Sequence, residues 1–344
     1  MPIALLNFPT DLLGEVFKLC NPFELYFLSK CSKRARSCVK LGGTKHWKIG
    51  CCCCSTVSIE CEDNMIYDFL QTKEPNYYYD TAFLNNYIEI PEGIGELLAY
   101  LLDTFGIRTV KWLKNKGRDL HSFLQIPKIL IDRNMEVEEL WLDGFGNEDS
   151  IVNIMPVINQ MNITREFECL VRPRSDFQNH FTRYPKRIEF RYSFWFTIDQ
   201  LLDCTCAHIE LFKSNLNNQD INMFLEKWKR AGTFPNLQYL SIDSKRIDKN
   251  SSILDMVLPI KNTENPSKAV TAIFRGNHRT HCISVDNGVK VVKEDGTEGW
   301  LKVELNSWRQ FQFVVRNPDD VEQEFENEEW DDEEPDDIGS DDEN

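Results

Sequence analysis

Residues 8 to 39 carry apolar side chains in a helical rhythm, broken by clear punctuation. Leu12, Leu13, Val16, Phe17 and Cys20 fall at i, i+1, i+4, i+5 and i+8, a continuous stripe along one helix. Phe8-Pro9-Thr10 opens that helix, with the proline near its start, where a missing N–H costs little. Asn21-Pro22 stops it and starts another. Asn21 can cap the new helix, Pro22 suits its first position, and Glu24 stands three residues after the cap, as a capping box requires. Leu25 and Leu28 supply the second apolar stripe. Ser32 is placed to cap a third helix over 33–40, whose buried side would hold Ala35, Cys38 and Val39. Helices this short bury their own faces poorly. Some apolar surface is therefore expected to be left for a partner or for the rest of the chain.

Farther along, the rhythm alternates between period two and period 3.6. Strand patterns occupy 109–113, 138–142, 166–170, 187–191, 208–212 and 238–242. Helical patterns at 96–105, 150–161, 197–202 and 219–230 lie between them. An apolar-x-apolar signature recurs in Leu140-Trp141-Leu142, Ile188-Glu189-Phe190, Ile209-Glu210-Leu211 and Leu237-Gln238-Tyr239-Leu240. One strand follows another every 20 to 30 residues or so, the period of leucine-rich-type repeats. Strand–helix alternation with short links predicts a parallel sheet. Stacked units of this kind make a curved solenoid whose strands line a concave face. The units are irregular and show no asparagine ladder, so a compact α/β domain is the alternative architecture.

The flanks read differently. Residues 46–70 look like short strands in a hairpin arrangement. Residues 269–274, 281–285, 289–293 and 300–305 alternate or are β-branched, and Asp286-Asn287-Gly288 and Glu294-Asp295-Gly296 are hairpin-turn sequences. Antiparallel strands there would cap the open end of the parallel sheet. The expected organisation is a helical unit at 1–42, a hairpin-rich connector at 43–92, strand–helix units at 93–260, an antiparallel end at 261–316 and a tail at 317–344.

Phe8-Pro9-x-Asp11-Leu12-Leu13-x-Glu15-Val16-Phe17, then Asn21-Pro22-x-x-Leu25, then Leu28-Ser29-x-Cys31-Ser32-Lys33-Arg34, resemble the F-box throughout its length. The resemblance implies a trihelix that binds the Skp-type adaptor of cullin-based ubiquitin ligases. Carried over by position, Phe8, Pro9, Leu12, Leu13, Val16, Phe17, Pro22 and Leu25 would form most of the adaptor-facing surface, with Leu28, Cys31 and Val39 as internal packing. A second resemblance covers residues 194–243. Phe194-Trp195-Phe196-Thr197-Ile198-Asp199-Gln200-Leu201-Leu202, Ile209-Glu210-Leu211, Leu216-x-x-x-Asp220-x-x-x-Phe224-Leu225-x-x-Trp228 and Pro235-Asn236-Leu237-x-x-Leu240 are similar to the F-box-associated domain of the large nematode F-box families. Residues 290–296 are similar to the closing hairpin of that group. This implies a domain that recognises a protein substrate, and no motif names the substrate.

Charge and composition narrow the alternatives. Of the 55 acidic residues, sixteen lie within 319–343, where there is no Lys or Arg; the rest of the chain carries 39 acidic residues against 39 basic ones. A neutral body with a polyanionic tail lacks the basic footprint of a nucleic-acid binder. The tail is low in aliphatic residues and highly charged, so it is expected to stay disordered, either solubilising the chain or recruiting a basic partner such as a histone or ribosomal protein. Ser340, set among acids, is a weak candidate for phosphorylation. No basic n-region opens the chain, and no apolar run approaches the roughly 18 residues of a membrane span. No membrane association is expected, and the twelve cysteines are expected to be reduced, in cytosol or nucleus.

Candidate chemistry is thin. Cys51-Cys52-Cys53-Cys54 with Cys61 suggests a metal, but neighbours on a strand point to opposite faces and cannot converge on one tetrahedral ion. Cys204-x-Cys206-x-His208 and His278-x-x-His281-Cys282 are incomplete as zinc sites. There is no Gly-rich phosphate loop, Gly-x-Ser-x-Gly elbow or His-Glu-x-x-His. Tyr77-Tyr78-Tyr79 and residues 192–196 concentrate aromatics, which can anchor interfaces but are expected to be buried here. The reading that results is a non-catalytic adaptor without cofactor. Its partners would be a Skp-type adaptor, through it a cullin, and an unidentified protein target; removing residues 1–40 would abolish adaptor binding and leave the body folded. The alternatives are a binding scaffold outside ubiquitin ligation and an unrecognised hydrolase in the α/β body.

Overall fold

The computed structural model describes residues 8–53, 55–62, 64–71, 86–115, 120–143, 149–262, 269–275, 280–307 and 309–316. Cys54, residues 77–79, His278 and the acidic segment 317–344 with Ser340 lie outside them.

The N-terminal helices form where their punctuation places them: α1 (Thr10–Lys18), α2 (Pro22–Cys31) and α3 (Lys33–Cys38). The capping box closes in both directions, with Glu24 N–H donating to Asn21 Oδ1 at 3.0 Å and Asn21 N–H donating to the Glu24 carboxylate at 2.8 Å. Ser32 Oγ accepts from Ala35 N–H and starts α3. Two short 3-10 turns, Val39–Gly42 and Thr44–His46, deliver the chain to the sheet. Gly43 between them sits at φ 80°, a left-handed conformation that glycine adopts without penalty.

Thirteen of the described strands form one sheet. In chain order the first are β1 (Lys48–Cys52), β2 (Thr56–Glu60), β3 (Ile66–Gln71) and β4 (Tyr87–Ile90). After α4 (Ile94–Phe105) come β5 (Thr109–Asn115), α5 (Leu120–Asp132), β6 (Glu136–Leu142), α6 (Ser150–Ile158) and β7 (Asn162–Cys169). Then follow β8 (Arg187–Phe190), α7 (Ile198–Asp203), β9 (His208–Leu211), α8 (Asn218–Trp228) and β10 (Tyr239–Asp243). Strands β5 to β10 are parallel, and each lies beside its predecessor in sequence. Uninterrupted order of this kind belongs to stacked repeats rather than to a doubly wound sheet, whose order reverses at a switch point. At the other end β1 pairs in parallel with β5 and antiparallel with β2, and β2 pairs with β3, so residues 46–70 do form antiparallel strands.

The antiparallel end comprises β11 (Ala269–Arg275), β12 (Thr280–Asp286), β13 (Val289–Val292), β14 (Glu298–Leu305) and β15 (Arg309–Arg316). Strand β15 pairs antiparallel with β10 and β14, closing the parallel run. One turn expectation is corrected. Glu294-Asp295-Gly296 joins the paired strands β13 and β14, but Asp286-Asn287-Gly288 is no hairpin, because β11 and β12 form a separate two-stranded sheet. Asn287, at φ 61°, turns the chain from that hairpin into the main sheet.

One face of the main sheet builds the core. Leu113, Leu140, Phe167, Ile188, Ile209, Leu240 and Phe313 are paired neighbours along successive strands, and all are fully buried. Helices α4 to α8 cover this row with buried residues such as Leu98, Leu101, Phe123, Ile154, Leu201, Phe224 and Trp228. Capping boxes start α7, between Thr197 and Gln200, and α8, between Asn217 and Asp220. The aromatic stretch 192–196 goes largely inward, with Trp195 and Phe196 packed on Phe190. Leu13, Phe17, Leu25, Tyr26 and Val39 of the N-terminal helices belong to the same continuous core.

Close packing makes one glycine indispensable. A Cβ at Gly299 in β14 would stand 2.3 Å from Phe313 Cζ and 2.8 Å from Trp228 Cη2, both on fully buried rings. Gly299→Ala is expected to cost about 1–3 kcal/mol through overpacking. A shift in the urea midpoint with an unchanged m-value checks this, and an unchanged midpoint would contradict the packing described.

Candidate functional site

Two surfaces are candidates for function. The first is on the N-terminal helices, where the eight sequence-nominated residues separate by burial. Pro9 and Leu12 are exposed, and Phe8 and Val16 are part-buried, whereas Leu13, Phe17, Pro22 and Leu25 are buried within the chain. The buried four therefore shape the surface from beneath. Leu12, Val16 and Leu19 follow the i, i+4, i+7 spacing along α1 and form an outward stripe, with Leu19 87% exposed. Phe27 on α2 is 56% exposed. Neither Leu19 nor Phe27 was nominated from the sequence, although the helical spacing from Leu12 and Val16 pointed to Leu19. Val39 is internal, as expected, and Leu28 is part-buried. Cys31 is corrected: it is exposed, because its place at the end of α2 turns it outward, with Sγ donating to Phe27 O.

Polar and aromatic contacts mount these helices on the body. Tyr26 Oη and Lys30 Nζ both donate to Glu92 Oε1, at 3.1 and 2.9 Å. The Tyr100 ring of α4 takes Lys30 Nζ at 4.0 Å and the Arg36 guanidinium at 4.3 Å from its centroid. The Tyr100 hydroxyl lies 2.7 Å from Ser29 Oγ, Arg36 donates to Thr104 Oγ1, and Thr44 Oγ1 donates to Phe105 O. Phe23 and Tyr26 pack edge-on against Phe69 of β3. The hydrogen bond from Lys30 holds the Glu92 carboxyl below its usual pKa, against the opposing effect of burial.

The second surface is the sheet face opposite the helices. Side chains alternate along a strand, so the partners of the core row face the other way, in two ladders. The inner ladder runs Trp112, Glu139, Glu166, Arg187, His208, Tyr239, and the outer one Lys114, Trp141, Glu168, Glu189, Glu210, Ser241. Arg187 is 1% exposed and bridges three carboxylates: Glu166, Glu189 at 2.5 Å and Glu210 at 2.8 Å. Burial works to lower the Arg187 pKa, and the charges of Glu166, Glu210 and Glu189 outweigh it. Burial likewise works to raise that of Glu210, but the His208 ring, with Nε2 3.0 Å away, and the Arg187 charge bring it down to about 2. Lys114 Nζ stands 3.6 Å from the Trp141 ring centroid and 4.8 Å from that of Trp112.

This face is covered at one end. Val285 of β12 is fully buried against Tyr239, Val314 and Trp300, so the β11–β12 hairpin lies over β10, β15 and β14. Between β5 and β9 the outer ladder, from Lys114 to Glu210, is part-exposed.

The buried cysteines serve packing. Cys51 points into the core and Cys52 to the opposite side, as strand alternation demands, and Cys53 is buried. Among the described residues no group of His, Cys, Asp or Glu is arranged to hold a metal ion. Burial pushes the Cys169 thiol up to about 12 and raises that of Cys206, whose thiol also bonds Cys204. No described helix is long and apolar enough to cross a membrane.

Comparison with known proteins places families on these surfaces. Residues 5–46 match the F-box domain model, and residues 176–242 match the model described as F-box associated. A Caenorhabditis elegans protein, the Skn-1 dependent zygotic transcript 15 protein, is 23% identical over 185 residues, which cover 50% of this chain and 52% of the relative. The chain thus spans about half the length of the curated relative it matches. No solved structure matches the chain. The F-box coincides with α1 to α3, and the F-box-associated segment spans β8 to β10, which contribute Arg187, Glu189, His208 and Glu210 to the ladders. The chain therefore carries an F-box domain at its N-terminal helices and an F-box-associated domain in its sheet body.

Proposed function

We propose that this protein is the substrate-recognition subunit of an SCF ubiquitin ligase, bound to a Skp-type adaptor through α1 and α2 and to a protein target through the sheet body. An F-box domain implies such an adaptor role. The observation that carries the finer reading is the outward apolar stripe of Leu12, Val16 and Leu19, with Phe27, on helices whose opposite sides are sunk in the core. Large apolar side chains left in water at that density mark a binding surface. The chain contributes no step of chemistry in this reading. It holds target lysines near a conjugating enzyme supplied by other subunits and so raises their effective concentration. The contacts among Lys30, Glu92, Tyr100 and Arg36 suit that task, since they fix the direction in which the body points from the adaptor. Work in the cytosol or nucleus is part of the proposal.

Co-expression with a Skp-type adaptor tests it. The native chain is expected to co-purify with the adaptor, and Leu12→Asp with Phe27→Asp is expected to abolish co-purification while leaving the thermal midpoint within about 2 °C, because both side chains are already solvated. A well-folded native chain that fails to bind would move the protein to a scaffold role outside ubiquitin ligation.

A further inference from the structure

We propose that the chain's own acidic segment, residues 319–343, docks on a basic patch beside the N-terminal helices, where Lys33, Arg34, Lys40, Lys45 and Arg108 receive its carboxylates. The contact lies within one chain and does not depend on the ligase reading.

The patch begins in the sequence and is completed by the fold. Between Glu24 and Glu60 the chain has seven Lys or Arg and no Asp or Glu. Lys30 pairs with Glu92, Lys48 pairs with Glu138, and Arg36 lies on the Tyr100 ring. Lys33, Arg34, Lys40 and Lys45 are exposed, and none has a carboxylate in ion-pair contact among the described residues. Lys33, Ser37 and Lys40 follow the i, i+4, i+7 spacing along α3 and the turn after it, so these two charges share a side. The end of α4 adds a fifth charge. A Cβ at Gly106 would stand 3.7 Å from Lys40 Cδ, and Arg108, two residues on, is exposed and also lacks a carboxylate partner among the described residues. Asp103 of α4 supplies no counter-charge, because it is held by Arg133. Like charges gathered in this way repel one another, and a polyanion relieves them.

Charge and tether geometry point to the occupant. The excess acid of the chain is confined to 319–343, and residues 328–337 are its densest part, with eight Asp or Glu in ten positions around Trp330. Blocks of like charge are commonly interaction segments. This one also leaves the sheet at the right edge. Val315 N–H donates to Gln238 O, which puts Arg316 beside the start of β10. Arg108 immediately precedes β5, and Lys45 lies three residues before β1, which is parallel to β5. Because β5 to β10 are parallel, the point of departure and the patch share one edge of the sheet, six strand steps apart. At roughly 4.8 Å a step the span is about 29 Å. Glu328 follows Arg316 by twelve residues, which reach about 40 Å when extended. A coil of about sixteen residues averages roughly 20–24 Å and lengthens when its own charges repel. Residues 328–337 therefore arrive at the patch without strain. The tether holds them there at a high local concentration, which suits surface ion pairs that are individually weak.

The test uses the full chain without the adaptor, so that its failure is separate from failure of F-box binding. A zero-length carbodiimide joins lysine amines to carboxylates in contact with them, and mass spectrometry maps the joined peptides. Lys33, Lys40 and Lys45 should each cross-link to residues 328–337 at least about threefold more than Lys249 does, since tethering favours the docked lysines. Lys249 is exposed and follows β10, closer along the sheet to the point of departure, so an undocked segment meets it at least as often. The excess should fall as salt is raised to roughly 0.5 M. Arg34→Glu with Arg108→Glu keeps the lysines and reverses two exposed charges, and should cut their cross-links by about threefold or more. Yields no higher than that of Lys249 would overturn the proposal in the native chain alone, whatever the variant does. Yields unaffected by the two reversals in a folded variant would overturn it as well. A mixture of isotope-labelled and unlabelled chain should give cross-links within a chain; a majority between chains would make the patch a contact between copies and overturn the tethered contact.

Discussion

Replacing Arg187 by methionine is expected to cost about 3–5 kcal/mol of folding stability, the largest loss among single substitutions on the open face. The guanidinium is buried, and its removal leaves Glu166, Glu189 and Glu210 facing one another without their counter-charge. Methionine fills a similar volume but returns no hydrogen bond, so Glu166 and Glu189 lose the guanidinium that offsets their desolvation and Glu210 keeps only His208 of its two partners. The deficit should depend on pH in a definite direction. In the native chain Glu210 titrates at about 2 rather than the ordinary 4.5. Its stabilising contribution is therefore complete above pH 4.5 and is lost as the pH falls towards 2. Without Arg187 that depression shrinks, the carboxylates take up protons more readily, and protonation relieves their repulsion. The gap between native and Arg187→Met should accordingly be widest near neutral pH and narrow below about pH 5. Urea unfolding at pH 7.5 and pH 5 measures both. A gap under about 1 kcal/mol at neutral pH would mean that water enters the ladder freely and that the cluster carries little energy. Arg187→Lys should fall between the two, because an ammonium cannot fork among three carboxylates.

The glutamates of this cluster were in plain view in the sequence, but their meeting was not. The centre of the apolar-x-apolar signature is a glutamate in Ile188-Glu189-Phe190 and Ile209-Glu210-Leu211, and Phe167-Glu168-Cys169 repeats the form. Period two told that these side chains share an orientation, away from the core. That they stand abreast depends on strand register, which the lengths of the crossovers set across the whole domain. Bulges between Ile49 and Gly50 and between Val137 and Glu139 shift that register in a way no local pattern announces. The parallel strands were legible because a strand covered on one face by helices keeps a strongly apolar period. Helix α5 escaped notice because Pro127 lies inside it, and proline ordinarily ends a helix; Pro156 inside α6 is tolerated in the same way. Strand β15 lies within the antiparallel end expected at 261–316 and alternates plainly at Gln310-Phe311-Gln312-Phe313, yet Asn306-Ser307 before it carries no glycine to mark a hairpin. On the F-box, the motif gave the helices and their caps. It could not sort Leu12 from Leu13 or Val16 from Phe17, since adjacent apolar positions go to opposite sides only once the body supplies a surface to bury one of them.

That dependence underlies the second large effect. A chain that begins at residue 43 is expected to fail as an independent fold, contrary to what a modular reading of the sequence suggests. The N-terminal helices are part of the wall of the body. Phe23 and Tyr26 cover Phe69, while Lys30, Arg36 and Ser29 contact Tyr100; of the contacts made by the segment that leads into the sheet, those of Thr44 and Trp47 with Phe105 would survive. Truncation would expose Phe69 and neighbouring apolar surface at the end of the sheet. The free energy at stake can be sampled one residue at a time. Phe17 is fully buried, and the main chain at Gly42 packs so closely on it that even a Cβ there would come within 3.1 Å of Phe17 Cβ. Phe17→Ala should therefore leave a cavity that cannot collapse and cost about 3–5 kcal/mol. Leu12→Asp, five residues earlier in the same motif, should cost less than about 0.5 kcal/mol. Thermal denaturation of the two variants beside the truncated chain checks the argument: the truncation should aggregate or lose its cooperative transition, and Phe17→Ala should lower the midpoint by roughly 5–15 °C. If the truncated body melts cooperatively at the native temperature, the helices are an appendage and the contacts at Tyr100 and Phe69 contribute nothing to the fold. If it does not, then loss of adaptor binding in a Phe17 variant reports unfolding, and only the outward residues Leu12, Leu19 and Phe27 can report recognition.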